Sequence, residues 1–193
     1  MDHKFFAYIS RMRYIDRWAL MRNSQKENVQ EHSHMVAVIA HALALIRRDI
    51  YGGEIDPGEV AVAALYHDAP EILTGDLPTP VKYFNPAIRD AYKQVEAVSV
   101  DKLLSMLPDE LRPDYVPYLK EEPGEVHDLV KAADKISAYI KCVEELKMGN
   151  TEFREAAGQT RALLCESELP EVGYFMEHFL PAFEMTLDEL SKE

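Results

Sequence analysis

His67-Asp68 is the pair from which a chemical reading starts. An imidazole beside a carboxylate at a helix end can bring both groups to one metal ion where the helix is irregular. Pro70 supplies the irregularity: it brings no N–H to the carbonyl of Tyr66 and disfavours a helical Ala69. The dipeptide alone is a weak signal, because the chain holds a second one, His127-Asp128. Context separates the two. His67-Asp68 ends an apolar helix and leads into Ala69-Pro70-Glu71, whereas His127-Asp128 follows the solvated turn from Glu121 to Glu125. Asp128 there simply favours a helix N-terminus.

Two more candidates lie on other segments. His32 shares a helix face with Val36 and Ile39 and so points towards a core; taken singly, it reads first as a core histidine bonded to a neighbour. His34 and His41 face nearly the opposite way and read as surface histidines. Asp134 sits in the apolar stretch 130–136. Burying its charge is costly unless it is paired or bound to a metal, and Lys131 and Lys135 are the ordinary partners. Together His32, His67, Asp68 and Asp134 form a set of two imidazoles and two carboxylates. Such mixed ligands suit Mn, Fe, Co, Ni or Zn. Four protein ligands leave open positions on a six-coordinate ion, where a bound water ionises near neutral pH.

These residues need helices to position them. Asn28 and Glu31 make a capping box for a helix over 29–48, whose face is Val36, Ile39, Leu43 and Ile46. Asp56-Pro57-Gly58-Glu59 starts a second helix that carries Val60, Ala61, Ala64 and Leu65 up to His67. Further helices are expected at 86–107, 109–120, 126–148, 151–166 and 171–181, with a short one after Thr186, capped by Glu189. Gly75, Pro78, Pro80 and Pro86 make 74–86 an ordered loop, with Leu73, Leu77, Val81, Tyr83 and Phe84 as its expected anchors. Strand signals are scarce. The reading is one all-α domain over 1–193, a helical bundle.

Composition narrows the partners. The 193 residues include 21 Lys+Arg and 34 Asp+Glu, a net charge of −13. This argues against binding a nucleic-acid polymer, which needs a basic footprint, and against an anionic membrane surface. Residues 1–48 nonetheless hold eight Lys/Arg against four Asp/Glu, so one small anion could still find a local cationic pocket. Cys142 and Cys165 read as two reduced thiols. Lys4, Arg11 and Arg13 interrupt any secretory leader, and the nearly uncharged run 32–46 is too short to span a bilayer. A cytoplasmic location is expected.

The order Glu31-His32-Ser33, His67-Asp68-Ala69-Pro70-Glu71 and Lys131-Ala132-Ala133-Asp134 resembles the HD-domain phosphohydrolases. The likeness narrows to the bacterial 5′-deoxynucleotidases of the YfbR type through Phe5-Phe6-Ala7, through 16–23 with its Arg17-Trp18, and through Glu27-Asn28-Val29. The stretch 73–84 with its Gly75-Asp76-Leu77-Pro78-Thr79-Pro80 and the stretch 138–142 carry it further. It covers essentially the whole chain.

The resemblance implies an all-α homodimer that hydrolyses deoxyribonucleoside 5′-monophosphates to the nucleoside and phosphate. It implies one divalent ion per subunit, with cobalt, manganese or copper supporting activity, held by His32, His67, Asp68 and Asp134. Glu71 would be the catalytic carboxylate beside a metal-bound water that attacks phosphorus in line. Arg17 would orient the phosphate, and Trp18 would pack on the sugar and leave no room for a 2′-hydroxyl. Asp76, Leu77, Pro78 and Thr79 would line the substrate site, with His32, Asp68 and Asp134 also reaching the substrate. Pro70 departs from the small residue, such as Ser, expected before Glu71, and would change the angle at which Glu71 enters.

The residues support this chemistry on their own terms. Glu71 lies four residues after His67, on the same face of a continuing helix, and a carboxylate there can accept a proton from water. Arg17 can grip a phosphate with two parallel bonds. Two other readings stay open: an HD-type phosphohydrolase acting on a nucleoside triphosphate, cyclic nucleotide or guanosine alarmone, and a non-catalytic nucleotide-sensing helical protein. Glu71 and Arg17 beside four ligands count against the latter.

Overall fold

The computed structural model describes residues 3–82, 84–120 and 122–192, Thr79 without its side chain. Its elements run α1 (Phe5–Ile9), α2 (Val29–Asp49), α3 (Pro57–Tyr66), α4 (Glu71–Thr74), α5 (Thr79–Lys82), α6 (Pro86–Leu104), α7 (Arg112–Leu119), α8 (Glu125–Lys147), α9 (Arg154–Cys165), α10 (Pro170–His178) and α11 (Leu187–Leu190). Among the described residues there is no strand. An isolated antiparallel bridge pairs Asp16 with Asn28.

The expected caps form. Asn28 accepts from the Glu31 N–H at 3.0 Å, and Glu31 takes the Asn28 N–H in return. Asp56 accepts from Gly58 with Pro57 in the first turn of α3, and Thr186 and Glu189 repeat the box at α11. At the end of α8, Asn150 N–H bonds the Glu145 carbonyl and Gly149 N–H that of Leu146. This Schellman closure needs a left-handed residue, and Gly149 supplies it at φ 84°. Gly has no Cβ to clash there.

Two hydrophobic clusters organise the helices. The larger joins α2 (Val36, Ile39, Leu43, Ile46), α3 (Val60, Ala64) and α8 (Leu129, Ala133, Ile136, Ile140). The smaller joins Phe5, Val100, Leu103, Leu104, Leu107 and Leu119 around Ala69. The chain crosses from the first cluster to the second between Ala64 and Ala69, the stretch that holds His67 and Asp68. The seam between the cores is therefore where those side chains emerge.

Several expectations are corrected. The helix expected over 86–107 ends at Leu104, and that over 109–120 begins at Arg112. The segment 151–166 divides into a 3₁₀ turn, Thr151–Phe153, and α9. The helix over 171–181 stops at His178, because Pro181 cannot supply an N–H to continue it; the chain goes on as 3₁₀ over Leu180–Glu184. Two short helical pieces precede residue 29: α1 and the 3₁₀ turn Ser10–Tyr14.

The 74–86 loop is ordered, but not through all its expected anchors. Leu73 packs on the smaller core and Leu77 is half-buried. Val81 and Phe84 are 41% and 76% exposed, and Tyr83 lies outside the described residues. The loop is tied instead by polar contacts from α6. Tyr92 Oη lies 3.3 Å from Thr74 Oγ1, and Lys82 pairs with Glu96 at 2.9 Å. No helix in the described residues is long and apolar enough to cross a membrane. Cys142 is buried, Cys165 is exposed, and both are free thiols.

Candidate metal and phosphate site

Pro70 shapes the centre of the site. The Tyr66 carbonyl that it deprives of a helical donor is taken by Ala69 N–H at 2.9 Å, and Glu71 N–H bonds the Asp68 carbonyl at 3.0 Å. The helix thus tightens into an i→i+3 turn instead of continuing. Ala69 and Pro70 are buried, which turns His67, Asp68 and Glu71 into the seam. Pro70 caps α4 with ordinary backbone angles (φ −57°, ψ −26°) and Glu71 opens it.

His67 Nδ1 lies 2.7 Å from the Ala64 carbonyl, which can only accept. The proton therefore sits on Nδ1, and Nε2 presents a lone pair. That Nε2 is buried, lacks a hydrogen-bond partner, and lies 3.2 Å from Asp68 Oδ2. His32 is fully buried on α2. Its Nε2 lies 3.0 Å from Asp134 Oδ1 and 3.6 Å from Asp68 Oδ2. Ser137 Oγ, one turn beyond Asp134 on α8, sits 3.2 Å from its Nδ1 and fixes the far side of the ring.

Ligand atoms of His32, His67 and Asp68 all fall within 4.8 Å of one another. Ligands held at right angles about 2.0–2.2 Å from one ion sit about 3 Å apart, so the spacing fits. The donor set fits as well: two imidazoles with carboxylates suit a borderline divalent ion, and an orphaned lone pair at His67 is what such an ion would satisfy. Asp134 stands outside the tight trio and joins it through His32.

The electrostatics agree. Burial alone would raise the Asp68 carboxyl, but His67, His32 and Arg17 outweigh it and hold Asp68 far below the usual range. Burial likewise opposes the Asp134 charge, and the His32 hydrogen bond overcomes it. Burial disfavours a charged His67 ring, yet Asp68 raises its proton affinity. Glu71 is the opposite case. Burial, then Asp68 and Asp76, push its carboxyl well up. It is 7% exposed, and its Oε2 has no partner. A buried carboxyl with a raised proton affinity is suited to hold and pass a proton.

Arg17 and Trp18 come from the loop closed by the Asp16–Asn28 bridge. Arg17 Nη1 reaches Asp68 Oδ2 at 3.3 Å, and its Nε reaches Glu27 Oε2 at 3.2 Å. Burial weakens the guanidinium charge, but Asp68, Asp134, Glu27 and Asp76 reinforce it further. Trp18 Nε1 donates to the same Glu27 oxygen at 3.0 Å, and its ring packs on Phe153 at 5.3 Å. Trp18 has φ 57°. A bulky residue in that region costs about 1–3 kcal/mol and persists only where its surroundings hold it.

Asp76 belongs to the same neighbourhood. Burial raises its carboxyl, while Arg17 and the Trp18 backbone N–H pull the other way. Leu77 and Pro78 follow it and are half-buried. The Thr79 side chain lies outside what is described. His34 and His41 are exposed as expected, and Asp128 stands in the first turn of α8. Sequence reading missed Glu27 and Ser137 as supports. Neither has a local signal, because Glu27 acts on a residue 10 positions away and Ser137 on one 105 away.

The chain is similar to known proteins over nearly its whole length. Residues 4–183 match the model of the family described as 5′-deoxynucleotidase YfbR-like. The chain is 51% identical to a 5′-deoxynucleotidase of Vibrio parahaemolyticus over 98% of this chain and 99% of that protein. It is 49% identical to the 5′-deoxynucleotidase of Vibrio cholerae over the same shares. Among solved structures, an HD-domain phosphohydrolase from Listeria innocua superposes with a TM-score of 0.81 at 28% identity, covering 94% of this chain and 88% of that one. The cyanophage S-2L HD phosphohydrolase bound to dA and one catalytic Zn²⁺ ion shares the fold, with a TM-score of 0.60 at 19% identity, covering 91% of this chain and 95% of that one.

Proposed function

The chain belongs to the YfbR-like 5′-deoxynucleotidase family, and from that premise we propose how its site hydrolyses deoxyribonucleoside 5′-monophosphates to deoxyribonucleoside and phosphate. The protein is a phosphoric monoester hydrolase. The observation that carries the assignment of roles is the meeting of His32, His67 and Asp68 within 4.8 Å, with Arg17 bonded to Asp68.

His32, His67, Asp68 and Asp134 would hold a divalent ion. Bound there, such an ion supplies Lewis-acid charge to the phosphate oxygens and lowers the pKa of water. The remaining steps belong to the chain. Arg17 orients the phosphate and neutralises charge on its non-bridging oxygens as they pass through the transition state. Glu71, whose Oε2 is unpartnered, would take the proton of the attacking water once the charge of a bound divalent ion offsets the burial, Asp68 and Asp76 that hold its carboxyl up. Attack is in line; the bond from phosphorus to the nucleoside 5′-oxygen breaks, and that oxygen takes up a proton to become the nucleoside hydroxyl. Trp18, set on Phe153, packs on the deoxyribose and fills the space a 2′-hydroxyl would need. Asp76, Leu77, Pro78 and Thr79 line the substrate side. His32, Asp68 and Asp134 also border the substrate.

The finer parts of this reading are cobalt, manganese or copper as the ion, one per subunit, a homodimer, and a cytoplasmic location. Residues 1–193 act as one catalytic unit.

Product analysis tests the reaction. With dAMP, dATP and a cyclic nucleotide supplied separately, orthophosphate and nucleoside are expected from dAMP alone, and only when a divalent ion is present. Pyrophosphate or tripolyphosphate from dATP would instead place the protein with the triphosphate-acting relatives.

A further inference from the structure

We propose that Glu27 is a positioning residue that couples phosphate orientation to sugar discrimination, by holding Arg17 and Trp18 on one carboxylate oxygen. This rests on the roles proposed above for those two residues. Glu27 Oε2 accepts from Arg17 Nε at 3.2 Å and from Trp18 Nε1 at 3.0 Å. The Glu27 backbone carbonyl also accepts the Arg17 N–H at 2.9 Å. Residue 27 therefore grips residue 17 by backbone and side chain, and residue 18 by side chain.

The geometry makes the coupling strict. Nε bonded to Glu27 and Nη1 bonded to Asp68 together set the plane of the guanidinium. The indole hangs from a backbone at φ 57°, where its own chain does not favour it, so its tilt depends on what holds it. Phe153 supports one part of the ring, and Glu27 holds the Nε1 edge. Glu27 is only 17% exposed at its side chain, so water is a poor substitute as acceptor. A carboxylate serves both donors with charge-assisted bonds. An amide oxygen also has two lone pairs, but it carries no charge, so both bonds lose their charge assistance.

The test uses Glu27→Gln in the full chain, with three readouts. In the wild type without substrate, Trp18 is the sole tryptophan, so its indole N–H resonance and emission spectrum report on this contact alone. Both are expected to change in Glu27→Gln. With substrate, kcat/KM for dAMP is expected to fall about tenfold, the loss typical of a charge-assisted bond, and the dAMP-to-AMP preference to fall with it. Divalent-ion affinity is expected to stay within about twofold, because Glu27 is no ligand.

Glu27→Asp keeps the charge but loses one methylene, and should release one donor only, giving an intermediate preference. It carries the test should Glu27→Gln not fold. In a Trp18→Phe background, Glu27→Gln should no longer alter the sugar preference. An unchanged indole resonance together with an unchanged dAMP-to-AMP preference would overturn the proposal. A wild type that releases no phosphate from dAMP contradicts the deoxynucleotidase reading instead. The indole resonance, read without substrate, then still decides the Glu27 contact.

Discussion

His67 donates its Nδ1–H to the Ala64 carbonyl 2.7 Å away, which leaves Nε2 as the ring nitrogen that faces Asp68. A residue three positions earlier on the same helix thereby sets which ring nitrogen can bind a metal. Ser137 Oγ, from α8, sits against Nδ1 of His32 and holds that ring from its far side. Supports of this kind fix tautomer and ring angle, and their loss typically costs about 10–100-fold in metal affinity. Ser137→Ala is expected to weaken Mn²⁺ or Co²⁺ binding by that range in isothermal titration, with thermal stability little changed. His67→Ala should remove stoichiometric binding. Tight binding retained by His67→Ala would place the ion elsewhere.

Glu71 separates proton transfer from ion binding. Its carboxylate is buried, and it is not one of the proposed ligands. Glu71→Ala should lower kcat for dAMP by at least about 100-fold, while calorimetry finds the same ion stoichiometry as the wild type. Near-normal turnover would show that another group takes the proton.

How much of this was legible depends on distance along the chain. The boxes Asn28/Glu31 and Thr186/Glu189 are local, and their hydrogen bonds form as the spacing dictates. The apolar face of α2 likewise points inward, because helical periodicity is a local property. The loop after Thr74 misled where hydrophobicity stood in for packing: Phe84 is apolar yet exposed, and Lys82 with Glu96 does the anchoring. Glu27, Ser137 and Glu145 were invisible as supports, since each acts across the fold. Pro70 marks a break by its residue type alone. Its consequence, a tight turn that aims Glu71 into the seam, is set by the burial of Ala69 and Pro70.

Glu145 offers a test by pH. Burial would raise its carboxyl, but Lys141, Asn150 and the N–H groups of Ser24 and Gln25 hold it down to about 2, from an ordinary 4.5. A carboxyl depressed on folding adds stability above pH 4.5, which drains away as pH falls towards 2. The wild type should therefore lose stability across that window in acid denaturation followed by circular dichroism. Glu145→Gln should be less stable at pH 7 and flatter between pH 4.5 and 2. An equally steep acid profile in the variant would mean that other carboxyls set the slope. The same contacts tie residues 24 and 25 to α8, so the variant also loosens the loop that carries Arg17 and Trp18.

Trp18 should govern sugar choice by volume. Trp18→Ala opens the space beside the deoxyribose, and AMP hydrolysis is expected to rise relative to dAMP by about tenfold or more, the scale of a steric contact in a binding pocket. An unchanged ratio would remove Trp18 from the discrimination, and with it the coupling assigned to Glu27.

The proposed reaction is metal-dependent hydrolysis of deoxyribonucleoside 5′-monophosphates. Its most direct test is orthophosphate release by the wild type from dAMP and AMP side by side, across a panel of divalent ions and a chelated control. Release is expected from dAMP with Co²⁺, Mn²⁺ or Cu²⁺, little from AMP, and none after chelation. Equal rates on the two nucleotides, or undiminished release in the chelated control, would contradict it.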